Sequence, residues 1–177
     1  MDEAFWGTVT SLGDPVIWSL IVLVLIFVHF LMERKVIRFR NSEKYRRVLK
    51  NFLLLIVPTL FLALLSSEAL KMFFQVPRPC IPCPAAGCNP FCLSSYSFPS
   101  GHSATMTSIA TALFLLLRKR KRYLVIFVFP IAIGLSRLAL GVHTVFDVAG
   151  GFGLGLIVTV LVWKMRKSIY KWEDEVI

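Results

Sequence analysis

Long apolar runs dominate this 177-residue chain and constrain its fold more than any other feature. A transmembrane helix needs about 20 mostly apolar residues to cross a hydrocarbon core about 30 Å thick. Only 17% of the residues are charged, and backbone groups in lipid must bond within their own segment, which favours helices. We therefore predict an all-α, polytopic transmembrane helical bundle. Its five spans are expected at about residues 15–32, 52–73, 101–117, 123–140 and 146–163.

Basic residues are concentrated in three connecting segments. Of 20 Lys and Arg residues, 17 lie in residues 33–51, in residues 118–122 and in the tail from residue 164. With five spans these segments share one side, which the positive-inside rule makes cytoplasmic. We expect a multi-pass cell-membrane protein with its N-terminus outside and its C-terminus in the cytoplasm. The same placement explains the net charge of +10, because the basic segments contact the headgroups of membrane lipids. We therefore expect no nucleic-acid partner.

Three basic residues, Lys71, Arg78 and Arg137, fall on the opposite side, where the charge rule does not explain them. Lys71 ends the second span, and Arg78 stands between two prolines that stop the helix and favour an extended chain. Two cations at one helix end suit a multivalent anion, although snorkelling to the interface explains them equally well. Glu68 lies one turn before Lys71, and we expect the two to pair.

The stretch Phe-Pro-Ser-Gly-His at residues 98–102 opens the third span. A helix N-terminus offers free N–H groups and a positive dipole end, and glycine allows a ligand close to the backbone. Ser100 and Gly101 are therefore candidates for an anion cradle, with His102 beside it. The same residues are also an ordinary signal for the start of a helix.

The stretch SRLALGVHTVFD at residues 136–147 brings an arginine, a histidine and an aspartate between two apolar runs. His143 and Asp147 are four residues apart, which favours one helix face. A carboxylate bonded to an imidazole fixes its tautomer, and Arg137 can bind two anionic oxygens at once. Taken alone, a single His/Asp pair is more typical of a buried structural ion pair.

Together these groups indicate phosphoryl transfer on one membrane face. The cations suit a phosphoryl group, one histidine suits a nucleophile, and the other suits a general acid. No carboxylate cluster suited to magnesium accompanies them, so we expect no metal and no cofactor.

The three stretches resemble the signatures of the type-2 phosphatidic acid phosphatase family. Residues 71–79 match K-x6-RP, residues 99–102 match PSGH, and residues 136–147 match SR-x5-H-x3-D. The resemblance implies a membrane lipid phosphatase similar in its site to vanadium haloperoxidases, and therefore inhibited by vanadate. It implies that His143 forms a phosphohistidine, that Asp147 orients it and that His102 is the acid. The implied phosphate ligands are Lys71, Arg78, Ser100, Gly101 and Arg137.

We expect one domain, residues 1–177, with its catalytic core at 52–163 and its active site at the non-cytoplasmic face, where the three remaining cations lie. The substrate would be a polyprenyl diphosphate or a glycerophospholipid phosphate. Family members often place two spans before the first motif. In this chain only one span is predicted before the helix that bears the first motif. Residues 1–14 are a candidate interfacial helix. Gly151 and Gly155 form a GxxxG pair, for which we favour packing within the molecule over a homodimer seam.

All four cysteines lie in the predicted outer loop, residues 75–100. Disulfides suit a loop in an oxidising compartment, whereas a zinc or iron–sulfur site would need four converging thiolates. We favour disulfides, with no pairing assigned. The loop also supports an alternative function, a membrane thiol–disulfide oxidoreductase, and a non-enzymatic scaffold is a further alternative. The four residues are Cys80, Cys83, Cys88 and Cys92.

Overall fold

The computed structural model describes residues 2–37, 42–81, 91–117 and 121–169, and no strand occurs in those ranges. This confirms the predicted all-α class. The helices are α1 (Glu3–Ser11), α2 (Pro15–Glu33), α3 (Ser42–Phe74), α4 (Gly101–Leu116), a 3₁₀ helix (Lys121–Phe127), α5 (Val128–Ala139) and α6 (Val145–Ile169).

Four helical segments are long and apolar enough to cross a membrane, so the chain is a multi-pass membrane protein. They are Glu3–Glu33, Glu43–Phe74, Lys121–Ala139 and Val145–Arg166. The remaining predicted span, the third, is α4, whose 16 residues extend only about 24 Å. It packs against α3, α5 and α6 and is buried along most of its length. Because other helices rather than lipid surround α4, neither its length nor its many Ser and Thr residues must match the hydrocarbon core.

Three predicted spans differ from the structure in their bounds. The fifth was expected to end at residue 163, but α6 continues to Ile169. The second span was expected to begin at residue 52, but α3 begins at Ser42, because the polar connector continues the helix beyond its apolar part. The fourth predicted span is divided into the 3₁₀ helix and α5. Pro130 lies in the first turn of α5, where its missing N–H removes no intrahelical hydrogen bond.

The segment that precedes the first predicted span contains α1, as the sequence suggested. Asp2 caps α1, since its side chain accepts hydrogen bonds from the backbone N–H groups of Ala4 and Phe5. Asp14 caps α2 in the same way, directly before Pro15 at the first helical position. Each cap fixes the beginning of its own helix, so α1 and α2 are separate helices. Helix α1 packs against α5.

The candidate site residues gather at one end of the bundle, which we call the site end. There the N–H of Ser100, at the start of α4, donates to the carbonyl of Asp147 in the first turn of α6 (2.9 Å). At the other end, Nη1 of Arg166 in α6 donates to the carbonyl of Asn51 in α3 (2.8 Å). The helices α3 to α6 therefore alternate in direction. The C-terminal ends of α3 and α5 share the site end with the N-terminal ends of α4 and α6.

Two glycines of α6 allow its close contact with α4. A Cβ atom on Gly151 would lie 2.5 Å from the carbonyl oxygen of Ser100, and one on Gly155 would lie 2.4 Å from that of Ala104. Small residues let helix backbones approach closely in a membrane protein. The GxxxG pair is thus used within the molecule, as the sequence analysis favoured.

We expect Gly155→Ala to destabilise the protein, because the added methyl meets backbone that cannot yield without separating α4 from α6. The loss should be about 1–3 kcal/mol, as for other overpacked interfaces. Gly153→Ala is the matched control, since its Cβ would meet nothing within 4 Å in the described part of the chain. Thermal unfolding in detergent should show a lower midpoint for Gly155→Ala alone. Equal midpoints for both variants would contradict the close α4–α6 contact.

Candidate active site

The start of α4 is held by its own cap and by α6. Ser100 caps the helix, and its Oγ accepts from the N–H and the hydroxyl of Ser103 (3.4 and 3.0 Å). Gly101, the first helical residue, faces the end of α3: a Cβ there would lie 3.8 Å from Nζ of Lys71 and from Oγ of Ser67. The helix N-terminus and the Lys71 ammonium therefore border the same space.

His143 lies in the link between α5 and α6, where it contacts groups from three parts of the chain. Its Nε2 is 3.1 Å from Nη1 of Arg78, and its Nδ1 is 3.2 Å from Oγ of Ser97. The Oδ2 atom of Asp147 is 3.6 Å from Nδ1. The side chains of His143 and Asp147 are both almost completely buried.

The donors and acceptors around His143 determine its tautomer. A guanidinium can only donate, so the short Arg78 contact requires Nε2 to accept, which places the imidazole proton on Nδ1. Ser97 must then accept from Nδ1. Its own hydroxyl proton is directed to Oδ2 of Asp147, 2.5 Å away. The direct imidazole–carboxylate bond suggested by the sequence is thus replaced by a chain that runs from Arg78 through His143 and Ser97 to Asp147.

Asp147 is held by the capping of α6. The N–H of Thr144 donates to Oδ2 of Asp147 (2.7 Å), while Oγ1 of Thr144 accepts from the N–H of Asp147 (3.3 Å). This reciprocal pair is a capping box at the helix N-terminus. The carboxylate therefore cannot rotate away from Ser97 without losing a helix cap.

Arg78 follows α3 in a non-helical segment, as predicted, and its side chain is buried. Nε donates to the carbonyl of Ser95 (2.8 Å), Nη2 to Oγ of Ser95 (3.0 Å), and Nη1 to the carbonyl of Val142 (3.3 Å). A disulfide joins Cys80 to Cys92, two residues after Arg78 and three before Ser95. The disulfide thus closes the loop that anchors Arg78. Cys83 and Cys88 lie outside the described residues.

The remaining predicted site residues also lie at the site end. Lys71 pairs with Glu68 (2.6 Å), which confirms the expected ion pair, and the Lys71 side chain is only 10% exposed. His102 is the second residue of α4 and is half-buried. Arg137, in the last turn of α5, is buried and donates from Nη1 to Oγ1 of Thr10 in α1 (3.0 Å).

The electrostatic setting keeps His143 neutral. Burial lowers the pKa of His143 well below its usual value, and the charges of Arg78 and Arg137 lower it further. The Asp147 carboxylate acts in the opposite direction but does not offset them. Burial also lowers the pKa of Arg78, opposed by Asp147 and Glu68, and an arginine with such partners remains a cation. The neutral imidazole is the form that has a free electron pair for nucleophilic attack.

Sequence reasoning missed four polar residues that hold the site together. Thr144 was detectable, because Thr-x-x-Asp before an apolar run is a capping-box pattern. Ser95 and Ser97 stand outside the three motifs, and Thr10 is far away in the chain. Nothing in their local sequence indicates contact with Arg78, His143 or Arg137.

We expect nitrogen NMR of histidine-labelled protein to find His143 neutral at about pH 5, with its proton on Nδ1. An ordinary histidine is mostly protonated at that pH, whereas a lowered pKa means that protons bind only in more acidic solution. The chain has three histidines, so variants of the other two assign the signals. Ser97→Ala should disturb the tautomer, and Ser108→Ala, which removes a buried hydroxyl bonded to Gly155, should not. A protonated His143, or one protonated on Nε2, would contradict the derived hydrogen-bond chain.

Comparison with known proteins identifies the family. A family model described as the PAP2 superfamily matches residues 51–171. Phosphatidylglycerophosphatase B of Bacillus subtilis (strain 168) is 41% identical over 91 residues, which covers 46% of this chain and 45% of that protein. The chain is thus aligned with slightly less than half the length of this curated relative.

Two crystal structures have a similar fold. The transmembrane PAP2 type phosphatidylglycerolphosphate phosphatase from Bacillus subtilis gives a TM-score of 0.66 at 26% identity, over 97% of this chain and 79% of that one. Aquifex aeolicus LpxE gives a TM-score of 0.63 at 26% identity, over 92% of this chain and 85% of that one. Since the family model spans most of the chain and includes all three motifs, this protein belongs to the PAP2 superfamily.

Proposed function

We propose that this protein is a lipid phosphatase that passes a phosphoryl group from a membrane lipid to His143 and then to water. The observation that carries the proposal is the hydrogen-bond chain from Arg78 through His143 and Ser97 to Asp147. This chain holds a neutral imidazole with Nε2 as an acceptor, among cations that suit a phosphoryl group. Family membership supports the same chemistry, because the curated relative and one of the similar crystal structures are named as phosphatases.

In the resting structure, Nη1 of Arg78 donates to the Nε2 electron pair that would attack phosphorus. A substrate phosphoryl oxygen is a stronger acceptor than a neutral imidazole, because it is charged. We infer that the entering phosphate takes this donor, which frees Nε2 at the moment when substrate is in place. Arg78 would keep its two bonds to Ser95 throughout, so that only one of its nitrogens changes partner.

In the first step, Nε2 of His143 attacks phosphorus and the bond between phosphorus and the lipid oxygen breaks. His102 gives its proton to the departing oxygen. Phosphorylation makes the imidazole cationic, and the Nδ1 proton then binds more strongly to Ser97, which Asp147 supports. Lys71, Arg78, Arg137 and the N-terminal N–H groups of α4 would stabilise the charge that develops on the phosphoryl oxygens.

In the second step, water attacks the phosphohistidine while His102 accepts the proton of that water. The bond between phosphorus and Nε2 breaks, its electron pair returns to the imidazole, and inorganic phosphate leaves. His102 is again protonated, and His143 is again neutral. The two histidines thus have different tasks, and only His143 is linked to a carboxylate, through Ser97.

We propose a glycerophospholipid phosphate of the phosphatidylglycerol phosphate type as the substrate, with a polyprenyl diphosphate as the alternative. The names of the curated relative and of one similar crystal structure support the first. The placement of the site at the end of the helices lets the phosphate enter while the acyl chains stay in lipid. We take residues 1–177 as a single domain with its catalytic core at 52–163.

We expect purified protein in detergent to release phosphate from phosphatidylglycerol phosphate, and to do so in excess EDTA. The reason is that Lys71, Arg78 and Arg137 supply the positive charge that a divalent ion would otherwise supply. Phosphate release from phosphatidic acid and a polyprenyl diphosphate should be measured in parallel. Loss of activity on chelation, restored by a divalent ion, would contradict the metal-free mechanism. A higher kcat/KM for the polyprenyl diphosphate would overturn the substrate assignment alone.

The roles of the two histidines predict opposite responses to the leaving group. A general acid contributes about 100- to 10,000-fold when the leaving oxygen is basic, and much less for p-nitrophenolate. In the first step, His102→Ala should therefore fail on a lipid monoester but recover much of its relative rate on p-nitrophenyl phosphate. His143→Ala should fail on both, since no leaving group replaces a nucleophile. The single-turnover rate of each variant relative to the unmodified protein measures this, because kcat also contains the hydrolysis step in which His102 acts. Rescue of His143→Ala instead would reverse the roles.

We further propose that the site end faces the outside and the C-terminus the cytoplasm. Support comes from the 17 basic residues in the segments that lead to the opposite end. Single cysteines at the exposed positions Ser94 and Lys44, in an active cysteine-free background, should react with an impermeant thiol reagent from opposite sides. Ser94→Cys should label in intact cells and Lys44→Cys only after lysis. The reverse pattern would invert the orientation, and labelling of both from one side would overturn the topology.

A further inference from the structure

Helix α1 lies against the candidate active site. Its buried residues are Gly7 and Thr10. A Cβ atom on Gly7 would lie 2.6 Å from the ring of Phe91, the residue before the disulfide cysteine Cys92. Because α1 also packs on α5, it contacts both the helix that carries Arg137 and the loop that anchors Arg78. A helix outside the three motifs therefore lies beside two of the proposed phosphate ligands.

The contact between α1 and Arg137 is a buried hydrogen bond. Thr10 and Arg137 are each 3% exposed, and Oγ1 of Thr10 accepts from Nη1 of Arg137 at 3.0 Å. A hydroxyl acceptor fixes the direction of the guanidinium without neutralising it, which a carboxylate would do. The positive charge of Arg137 thus remains available to an anion.

A second atom of Arg137 indicates where that anion would bind. Nε is buried, and among the described residues it has no hydrogen-bond partner. Buried polar atoms without partners are uncommon in folded proteins, and each requires an explanation, one of which is a bound group that completes the bonding. The guanidinium donors form a rigid fork, and one edge of that fork, formed by Nε and Nη2, can bind two phosphate oxygens. Anchoring at Nη1 leaves this edge for the ligand.

We propose that Thr10 is a positioning residue that holds Nη1 of Arg137, so that the Nε edge of the guanidinium faces the phosphoryl group. The inference rests on the proposed function, since the ligand is the substrate phosphate. It extends that function to α1, which lies outside residues 51–171 that match the family model. The N-terminal helix then contributes to phosphate binding as well as to packing.

The test compares three single variants. Thr10→Val removes the acceptor at nearly constant volume, and Thr10→Ser keeps it. Thr8→Val is the matched control, because among the described residues the exposed hydroxyl of Thr8 bonds only to the carbonyl of Ala4 within α1. For Thr10→Val we expect kcat/KM on the lipid phosphate to fall about tenfold, the effect of losing one hydrogen bond to a charged group. Thr10→Ser and Thr8→Val should stay within about twofold of the unmodified protein.

Phosphate binding gives a readout that does not depend on turnover. The concentration of inorganic phosphate needed for half-maximal thermal stabilisation should rise about tenfold in Thr10→Val and remain unchanged in Thr8→Val. In an Arg137→Ala background, Thr10→Val should have no further effect on phosphate binding, because the group that it positions is gone. If Thr10→Val does not fold, Thr10→Ala provides the same comparison without a branched side chain.

Three results would overturn the inference. The first is equal phosphate binding by Thr10→Val and Thr8→Val. The second is a loss that Thr10→Ser fails to rescue, or that adds to Arg137→Ala, since that would show a packing role alone. The third is an unmodified protein that binds no phosphate. Failure to hydrolyse any lipid phosphate, with the Thr10 effect on phosphate binding intact, would instead reject the proposed function and leave the positioning role standing.

Discussion

The close contact between α4 and α6 is the constraint on which the site depends. Gly151 and Gly155 bring the two backbones together, and the N–H of Ser100 donates to the carbonyl of Asp147 at the point where both helices begin. The N–H groups at the start of α4 are thereby fixed beside the carboxylate that supports His143. A larger residue at either glycine would separate the proposed phosphate cradle from the proposed nucleophile, even though neither glycine would contact substrate.

The three cations of the site end are held by different interactions, and this explains how they lie together in a largely apolar bundle. Arg78 is fixed by Ser95 in a loop that the Cys80–Cys92 disulfide closes. Lys71 is restrained by the exposed carboxylate of Glu68. Arg137 is bonded to a neutral hydroxyl. Among the described residues, none of the three forms an ion pair with a buried carboxylate, and Arg78 and Arg137 form no ion pair at all, so the charge of the two arginines is available to an anion.

The sequence was sufficient for the helical class, the membrane segments and the residues of the three motifs, because apolar run length and motif spacing are local properties. It was insufficient where contacts between distant segments decide the structure. Ser97 interposes between His143 and Asp147 because the loop after α3 returns to the start of α6, which no local pattern specifies. Helix α4 can be short because other helices enclose it. Thr10 bonds to Arg137, which lies 127 residues away in the sequence.

In the proposed mechanism, His143 carries the phosphoryl group during turnover. Rapid mixing with p-nitrophenyl phosphate, followed by an alkaline quench that preserves phosphohistidine, would trap this species for mass spectrometry of the peptides. His102→Ala is the best protein for the experiment, since it should form the intermediate with this leaving group and hydrolyse it slowly. We expect one phosphoryl group on the peptide that contains His143. Turnover without phosphorylation of that peptide, or with the phosphoryl group on another residue, would contradict it.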